Sequence, residues 1–242
     1  MPRIPKILHY CWFGKGNLPL EAIQFIDGWR RVCPDYEIRE WNETNFDVSC
    51  CRYVSEAYER RKFAFVSDYA RGWALLQHGG IYLDTDVELL RPMDVFLEHQ
   101  AFFGFEHGHY VATSTFGCAQ GHEIIKEYLA QYQDRAFVEA NGREDLTTNV
   151  QVLTQLLERR GLILNGLRQD LPDGVACYPE TVFSPYDYAN CLDHRTPATV
   201  AIHHYAQTWV TPKGKALRRL KETVAALGGG PLIKYLRRLL RS

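Results

Sequence analysis

Four charged side chains in residues 65–89, FVSDYARGWALLQHGGIYLDTDVEL, have the types and spacing to hold a diphosphate and a divalent cation. Asp68 and Arg71 lie three apart and share one face if the segment is a helix. An always-charged guanidinium fork suits phosphate oxygens, and a carboxylate suits sugar hydroxyls. Asp84 and Asp86 close the short apolar run Ile81-Tyr82-Leu83, and their alternation points both the same way. Two hard oxygen ligands at the carboxyl end of a strand suit Mg2+ or Mn2+ that also takes phosphate oxygens. Each pair has a plainer reading. Asp-x-Asp is common turn chemistry, and an Asp–Arg pair on a solvated helix is worth only about 0.2–0.5 kcal/mol. Both pairs in one short stretch are what favour a site.

The elements that must position these groups follow from pattern. Ser67 can cap a helix, Tyr69, Trp73 and Leu76 recur at helical spacing, and Gly79-Gly80 ends it, which predicts a helix over 68–78. Residues 7–13, ILHYCWF, form a continuous apolar run ended by Gly14, as a buried parallel strand requires. Pro19 can open a helix whose Ala22, Ile23, Ile26 and Trp29 repeat on one face until Pro34. Residues 36–41, YEIREW, then alternate like a half-buried strand, and strand, helix, strand implies a parallel crossover in a doubly wound α/β fold. No G-x-G-x-x-G or G-x-x-x-x-G-K follows the first strand, so a phosphate would be held by metal and arginine.

Further on, 101–106 reads as a strand and 121–133 as a helix, while Glu106, His107 and His109 read as a solvated loop. Thr147 or Thr148 can cap a helix over 149–160, which puts Asn149 near a helix amino end and makes it a candidate neighbour of a sugar. Residues 161–197 are loop-rich, and such loops often shape acceptor sites. Residues 200–209, VAIHHYAQTW, contain an apolar strand ending in His203-His204, of which at most one can face a given site.

The run SDYARxxxLxxxGGIYLDTDV resembles the core signature of the DXD-containing glycosyltransferases of the Och1 and capsular-polysaccharide type. It is also similar to the catalytic domain of the large clostridial glucosylating toxins. The resemblance covers residues 7–94 and 200–209. It implies a GT-A-like fold, a Rossmann-type doubly wound mixed sheet in a single domain over residues 1–212, followed by a helical tail over 213–242. Trp12, in a His-x-x-Trp-x-Gly with His9 and Gly14, would stack on the nucleotide base. Asp68, Arg71, Tyr82 and Asp84 would bind the donor, with Asn149 beside them by the helix reading above; Asp84, Asp86 and His204 would hold the metal, and Trp209 would close over the leaving phosphate. His204 takes the place of an acidic ligand five residues before that tryptophan. Gln207 stands where the toxins have a serine ligand and is left out of the site.

The activity implied is a metal-dependent, retaining transfer of a sugar from a nucleoside diphosphate sugar, expected to be a UDP-sugar with Mn2+ or Mg2+. The acceptor would be a saccharide or glycolipid in bacterial surface polysaccharide synthesis. Two other classes compete. A non-catalytic sugar-nucleotide binding module predicts the same pocket without turnover. A haloacid-dehalogenase-like phosphatase would use Asp84 as nucleophile, but Glu88 stands where that family needs Thr or Val.

Composition bounds the rest. A chain of 242 residues, 46% hydrophobic, can bury the core of one globular domain, and a net charge of -1 gives no overall attraction to nucleic acid. Seven cysteines, an odd number with no C-x-x-C, suggest reduced thiols. Nothing at the start reads as a signal peptide or span, so a cytoplasmic enzyme is expected. In 231–242, PLIKYLRRLLRS, leucines gather on one helical face and Lys234, Arg237, Arg238 and Arg241 on or around the other. That pattern suits either an anionic membrane surface or packing on the chain's own domain.

Overall fold

The computed structural model describes residues 3–187, 190 and 192–205. The tail, Trp209 and the boundary at residue 213 lie outside these. Strand β1 (Ile7–Cys11) leads through helix α1 (Leu20–Val32) to the parallel strand β2 (Glu37–Trp41). Pro19 stands at the N-cap of α1, where its fixed φ and missing N–H cost nothing. Helices α2 (Arg52–Glu59) and α3 (Phe63–His78) then bring the chain back to β3 (Gly80–Leu83), which pairs parallel with β1 on the side opposite β2. Strand order therefore reverses at β1 and β3. In open α/β sheets the crevice beyond the carboxyl ends of such a pair is where ligands bind.

Short β4 (Val87–Leu89) precedes β5 (Ala101–Glu106), β6 (Tyr110–Val111) and β7 (Thr115–Cys118). Helices α4 (Glu123–Ala130) and α5 (Asn149–Arg159) follow, then β8 (Gln169–Leu171), β9 (Val175–Tyr178) and the single turn α6 (Glu180–Phe183). The hairpin β10 (Tyr186–Asp187) and β11 (Leu192–Asp193) leads to β12 (Ala201–His203). The central sheet runs β2-β1-β3-β7-β5-β9-β8, with β7 antiparallel to both β3 and β5. Consequently β5 runs in the same direction as β1 and β3, and the carboxyl ends of all three share one edge.

Both faces of the sheet are buried. Tyr82, Phe103 and Phe105 pack with α2, α3, α4 and α5, whereas Leu8, Tyr10, Ile81, Leu83 and Phe102 pack with Ile26 and Trp29 of α1 on the other side. The alternation within each strand is the period-2 pattern of a strand covered twice, and it makes the fold doubly wound as expected. The sheet is mixed, as also expected.

Two elements differ from their predicted form. Helix α3 begins at Phe63, so Ser67 is no cap; its hydroxyl donates to the Phe63 carbonyl at 3.1 Å inside the helix. Burial of Val66 and packing of Phe63 and Phe65 against the core extend the helix backward past a residue that would otherwise favour a cap. Strand β9, inside the segment read as loops, sits in the central sheet between β5 and β8. Residues 201–203 do not join that sheet; β12 pairs antiparallel with β4, with Ala201 opposite Leu89 and His203 opposite Val87.

Candidate active site

The turn from α3 into β3 sets the height of everything that follows. Gly79 and Gly80 have φ of 63° and 104°, and a Cβ on Gly80 would lie 2.7 Å from the Ile7 carbonyl and 2.9 Å from His9 Nε2. Fully buried His9 donates from Nε2 to the Gly79 carbonyl at 2.8 Å and accepts from Trp41 Nε1 at 3.0 Å. It thereby joins β2, β1 and the end of α3. Burial drives its pKa down to about 4, so the ring is neutral.

Arg71 is the centre of the site. It is 6% exposed, donates to the Thr113 carbonyl at 2.6 Å and the Ser67 carbonyl at 3.2 Å, and lies over the ring of Tyr82 at 4.5 Å. Its guanidinium pairs with Asp68 at 3.1 Å and Asp84 at 3.3 Å. Most of its donors are thus spent inside the protein, and it acts as a fixed positive charge behind two carboxylates. Asp84 also accepts from the Tyr82 hydroxyl at 2.9 Å. Asp68 accepts from Asn149 Nδ2 at 2.7 Å, and Asn149 Oδ1 in turn accepts from the Thr113 hydroxyl at 3.0 Å. Asn149 is placed by the first turn of α5, capped by the Thr148 side chain. Burial raises the Asp68 pKa to about 6, against the pull of Arg71 and with the help of Asp84. Asp68, Arg71, Tyr82, Asp84 and Asn149 are therefore one connected network.

Asp84-Thr85-Asp86 is a tight turn between β3 and β4, in which Val87 N–H donates to the Asp84 carbonyl at 3.0 Å. The turn reading and the ligand reading of this motif hold together. Asp84, Asp86 and His203 each offer a ligand atom, and these atoms lie within 4.8 Å of one another. His203 Nε2 is 3.3 Å from Asp86 Oδ1, and its Nδ1 is buried without a hydrogen-bond partner among the described residues. Burial alone would lower the His203 pKa, but Asp86, with Asp84 and Glu106, holds it above the ordinary value. Two carboxylates and one imidazole, whose second ring nitrogen is buried without a partner among the described residues, form a donor set that fits a divalent transition-metal ion.

His204 is not among these three. Family spacing selected it for the metal, yet its ring stacks on Phe25 of α1 at 4.9 Å and its Nε2 lies 2.9 Å from Glu88. Asp86 sits in the turn, not in a strand, so strand alternation could not be carried across to it; the β4–β12 register decides which histidine turns inward. Trp12 lies at the carboxyl end of β1, partly exposed, with its indole N–H donating to the Gly16 carbonyl at 2.7 Å. Trp209 falls outside the described residues.

Sequence reasoning missed Glu106, whose carboxyl is buried near His203 and His107 and has its pKa raised by that burial. A carboxylate closing the run AFFGFE was the available signal, since β5 ends at the same sheet edge as β3. Thr113, reached through the β6–β7 connection, had no such signal. A separate groove of about 630 Å³, lined by Phe96, Tyr178, Val182 and Val200, contains none of these site residues.

Residues 19–103 match the family described as "Glycosyltransferase sugar-binding region containing DXD motif". Two proteins of Schizosaccharomyces pombe are similar to the chain. "Inositol phosphoceramide mannosyltransferase 3" is 27% identical over 146 residues, 55% of this chain and 38% of its own length. "Inositol phosphoceramide mannosyltransferase 1" is 27% identical over 113 residues, 42% of this chain and 34% of its own length. The matched region thus spans little more than a third of either relative. Among solved structures, a glycosyltransferase involved in the glycosylation of the major capsid of PBCV-1 superposes with a TM-score of 0.51. That match covers 90% of this chain and 98% of the other at 11% identity, a likeness of fold. Residues 19–103 thus resemble the sugar-binding region of the DXD-containing glycosyltransferases, on an α/β fold like that of the capsid glycosyltransferase.

Proposed function

We propose that this protein is a metal-dependent, retaining glycosyltransferase that moves a sugar from a nucleoside diphosphate sugar to a saccharide or lipid-linked acceptor. The observation that carries the reading is the meeting of Asp84, Asp86 and His203 beside the Asp68–Arg71–Asn149 network at the edge where β1, β3 and β5 end. Asp84, Asp86 and His203 would hold a divalent cation, Mn2+ before Mg2+ because one donor is an imidazole. A cation bound there supplies Lewis-acid neutralisation of charge on the departing diphosphate. Arg71 adds a fixed positive charge that needs no reorganisation as the leaving group develops. Asp68, held by Arg71 and Asn149, presents its carboxylate to sugar hydroxyls. Trp12 offers an indole face for the base at the end of β1. In this reading no enzyme carboxylate forms a glycosyl bond; the leaving diphosphate helps take the acceptor proton on the same face of the sugar.

UDP is the nucleotide we expect, by the resemblance of the core motif, while the mannosyltransferase names of the relatives put mannose among the candidate sugars. The acceptor we propose belongs to bacterial surface polysaccharide, reached at the inner face of the cytoplasmic membrane. A panel of UDP- and GDP-sugars with Mn2+, with and without acceptor mixtures, tests the reaction by release of nucleoside diphosphate. Acceptor-stimulated release from one donor, lost on chelation, is the expected result. Nucleotide-sugar binding without release from any donor would make the chain a binding module instead.

A further inference from the structure

Metal-binding histidines are normally held in orientation by a hydrogen bond from the ring nitrogen that does not touch the metal. His203 departs from this. One ring nitrogen faces Asp86, and the other, Nδ1, is buried with no hydrogen-bond partner among the described residues. No hydrogen bond at Nδ1 therefore fixes the rotation of the ring within the carboxylate cluster. A ring stack takes that place. Tyr205 lies against His203 with centroids 3.9 Å apart and planes 33° apart, and against His107 with centroids 5.9 Å apart and planes at 27°. The buried Glu106 carboxyl neighbours both Tyr205 and His203.

The backbone is bent to make this arrangement. Tyr205 has φ of 48° and His107 has φ of 50°, left-handed values that bulky residues adopt only under strain. Two such residues from distant parts of the chain meet in one stack. Glu106 and His107 come from the end of β5, and Tyr205 follows β12, so the stack also ties the β4–β12 pair to the central sheet beside Asp84 and Asp86.

We propose that Tyr205, in ring contact with both His203 and His107, is the positioning residue that aims the His203 imidazole into the Asp84–Asp86 cluster. The proposal rests on the metal reading of that cluster but not on the transfer reaction. Tyr205 is not a ligand in it; it acts through His203.

The test uses the full chain and Mn2+ alone, with no donor. Tyr205→Ala should weaken Mn2+ binding about 10- to 100-fold, the usual effect of removing a group that orients a ligand. Tyr205→Phe keeps the stack, so its Mn2+ affinity should stay nearer to the wild type, and Glu106→Gln should behave like it. A purely structural role would not move the second readout: the 14N modulation of bound Mn2+ in pulsed electron paramagnetic resonance should be present in the wild type and Tyr205→Phe, and lost in Tyr205→Ala. Tyr205→Ala that binds Mn2+ as the wild type does, with the 14N signal intact, overturns the proposal, as does a wild type with no 14N signal. Should the Tyr205→Ala fold be impaired, Tyr205→Leu, which keeps bulk without a ring to stack, replaces it with the same two outcomes. A wild type that shows the full pattern yet turns over no nucleotide sugar upholds this inference while refuting the proposed reaction.

Discussion

Asp86 and His203 reach the same point from opposite ends of the sequence, and His204, one residue on, is turned toward Phe25 and Glu88. Mn2+ titrated calorimetrically should therefore separate the neighbours. His203→Ala is expected to weaken binding by about 1.5–3 kcal/mol, in line with loss of a contact to a charged group, and His204→Ala to leave it nearly unchanged. The reverse ranking would mean that family spacing read the strand better than the fold does. Asp68 calls for a different measurement. Its carboxyl is gripped by Arg71 and Asn149 and is not among the three candidate ligands. Asp68→Asn should lower the rate of sugar transfer by at least tenfold, about 1.4 kcal/mol, while changing UDP affinity in the presence of Mn2+ much less. Equal losses in both would remove Asp68 from the sugar side of the site.

At the scale of elements, the junction of α3 and β3 supports the whole network, since it sets where Asp84 begins its turn. Gly80→Ala puts a methyl group 2.7 Å from the Ile7 carbonyl at a φ of 104°, and urea unfolding should show a loss of about 1–3 kcal/mol. His9 gives this junction a pH dependence. Its folded pKa of about 4 lies below the ordinary 6.5, because burial disfavours the charged ring. Between those values the unfolded chain binds the proton and the folded chain does not. The His9 contribution is therefore complete above about pH 6.5 and lost as pH falls through 4, about 3 kcal/mol in all. Denaturation midpoints of the wild type should fall across that window, and His9→Gln should show a flatter profile. A variant that keeps the full slope would assign the pH dependence to other groups.

For the molecule as a whole, a sheet buried on both faces gathers the described site residues at the edge where β1, β3 and β5 end. No helix of the described residues is long and apolar enough to cross a membrane. The basic amphipathic segment 231–242 would supply a peripheral contact, which suits a lipid-linked acceptor. Anionic vesicles should sediment more of the full chain than of a chain ending at Gly230, and the difference should shrink as salt is raised. Equal sedimentation would leave packing of that segment on the domain as its role.

Local sequence determined the parts whose physics is local. Apolar runs and crossover spacing gave β1, α1, β2, α3, β3 and β5, because periodicity reports which faces are buried. Arg71 and Asp68 shared a face, and Asp84 and Asp86 shared a direction, because three-residue and two-residue steps fix those relations in any helix or strand. Only the tertiary structure decided that His203 and not His204 faces them, since pairing of β4 with β12 is a long-range register that no local pattern encodes. The same holds for Glu106, which sequence left in a solvated loop. Its burial comes from a sheet edge shared by β3 and β5, set by the antiparallel insertion of β7 between them. Thr113, which binds both Arg71 and Asn149, has no local signature because its role depends on where those two side chains arrive.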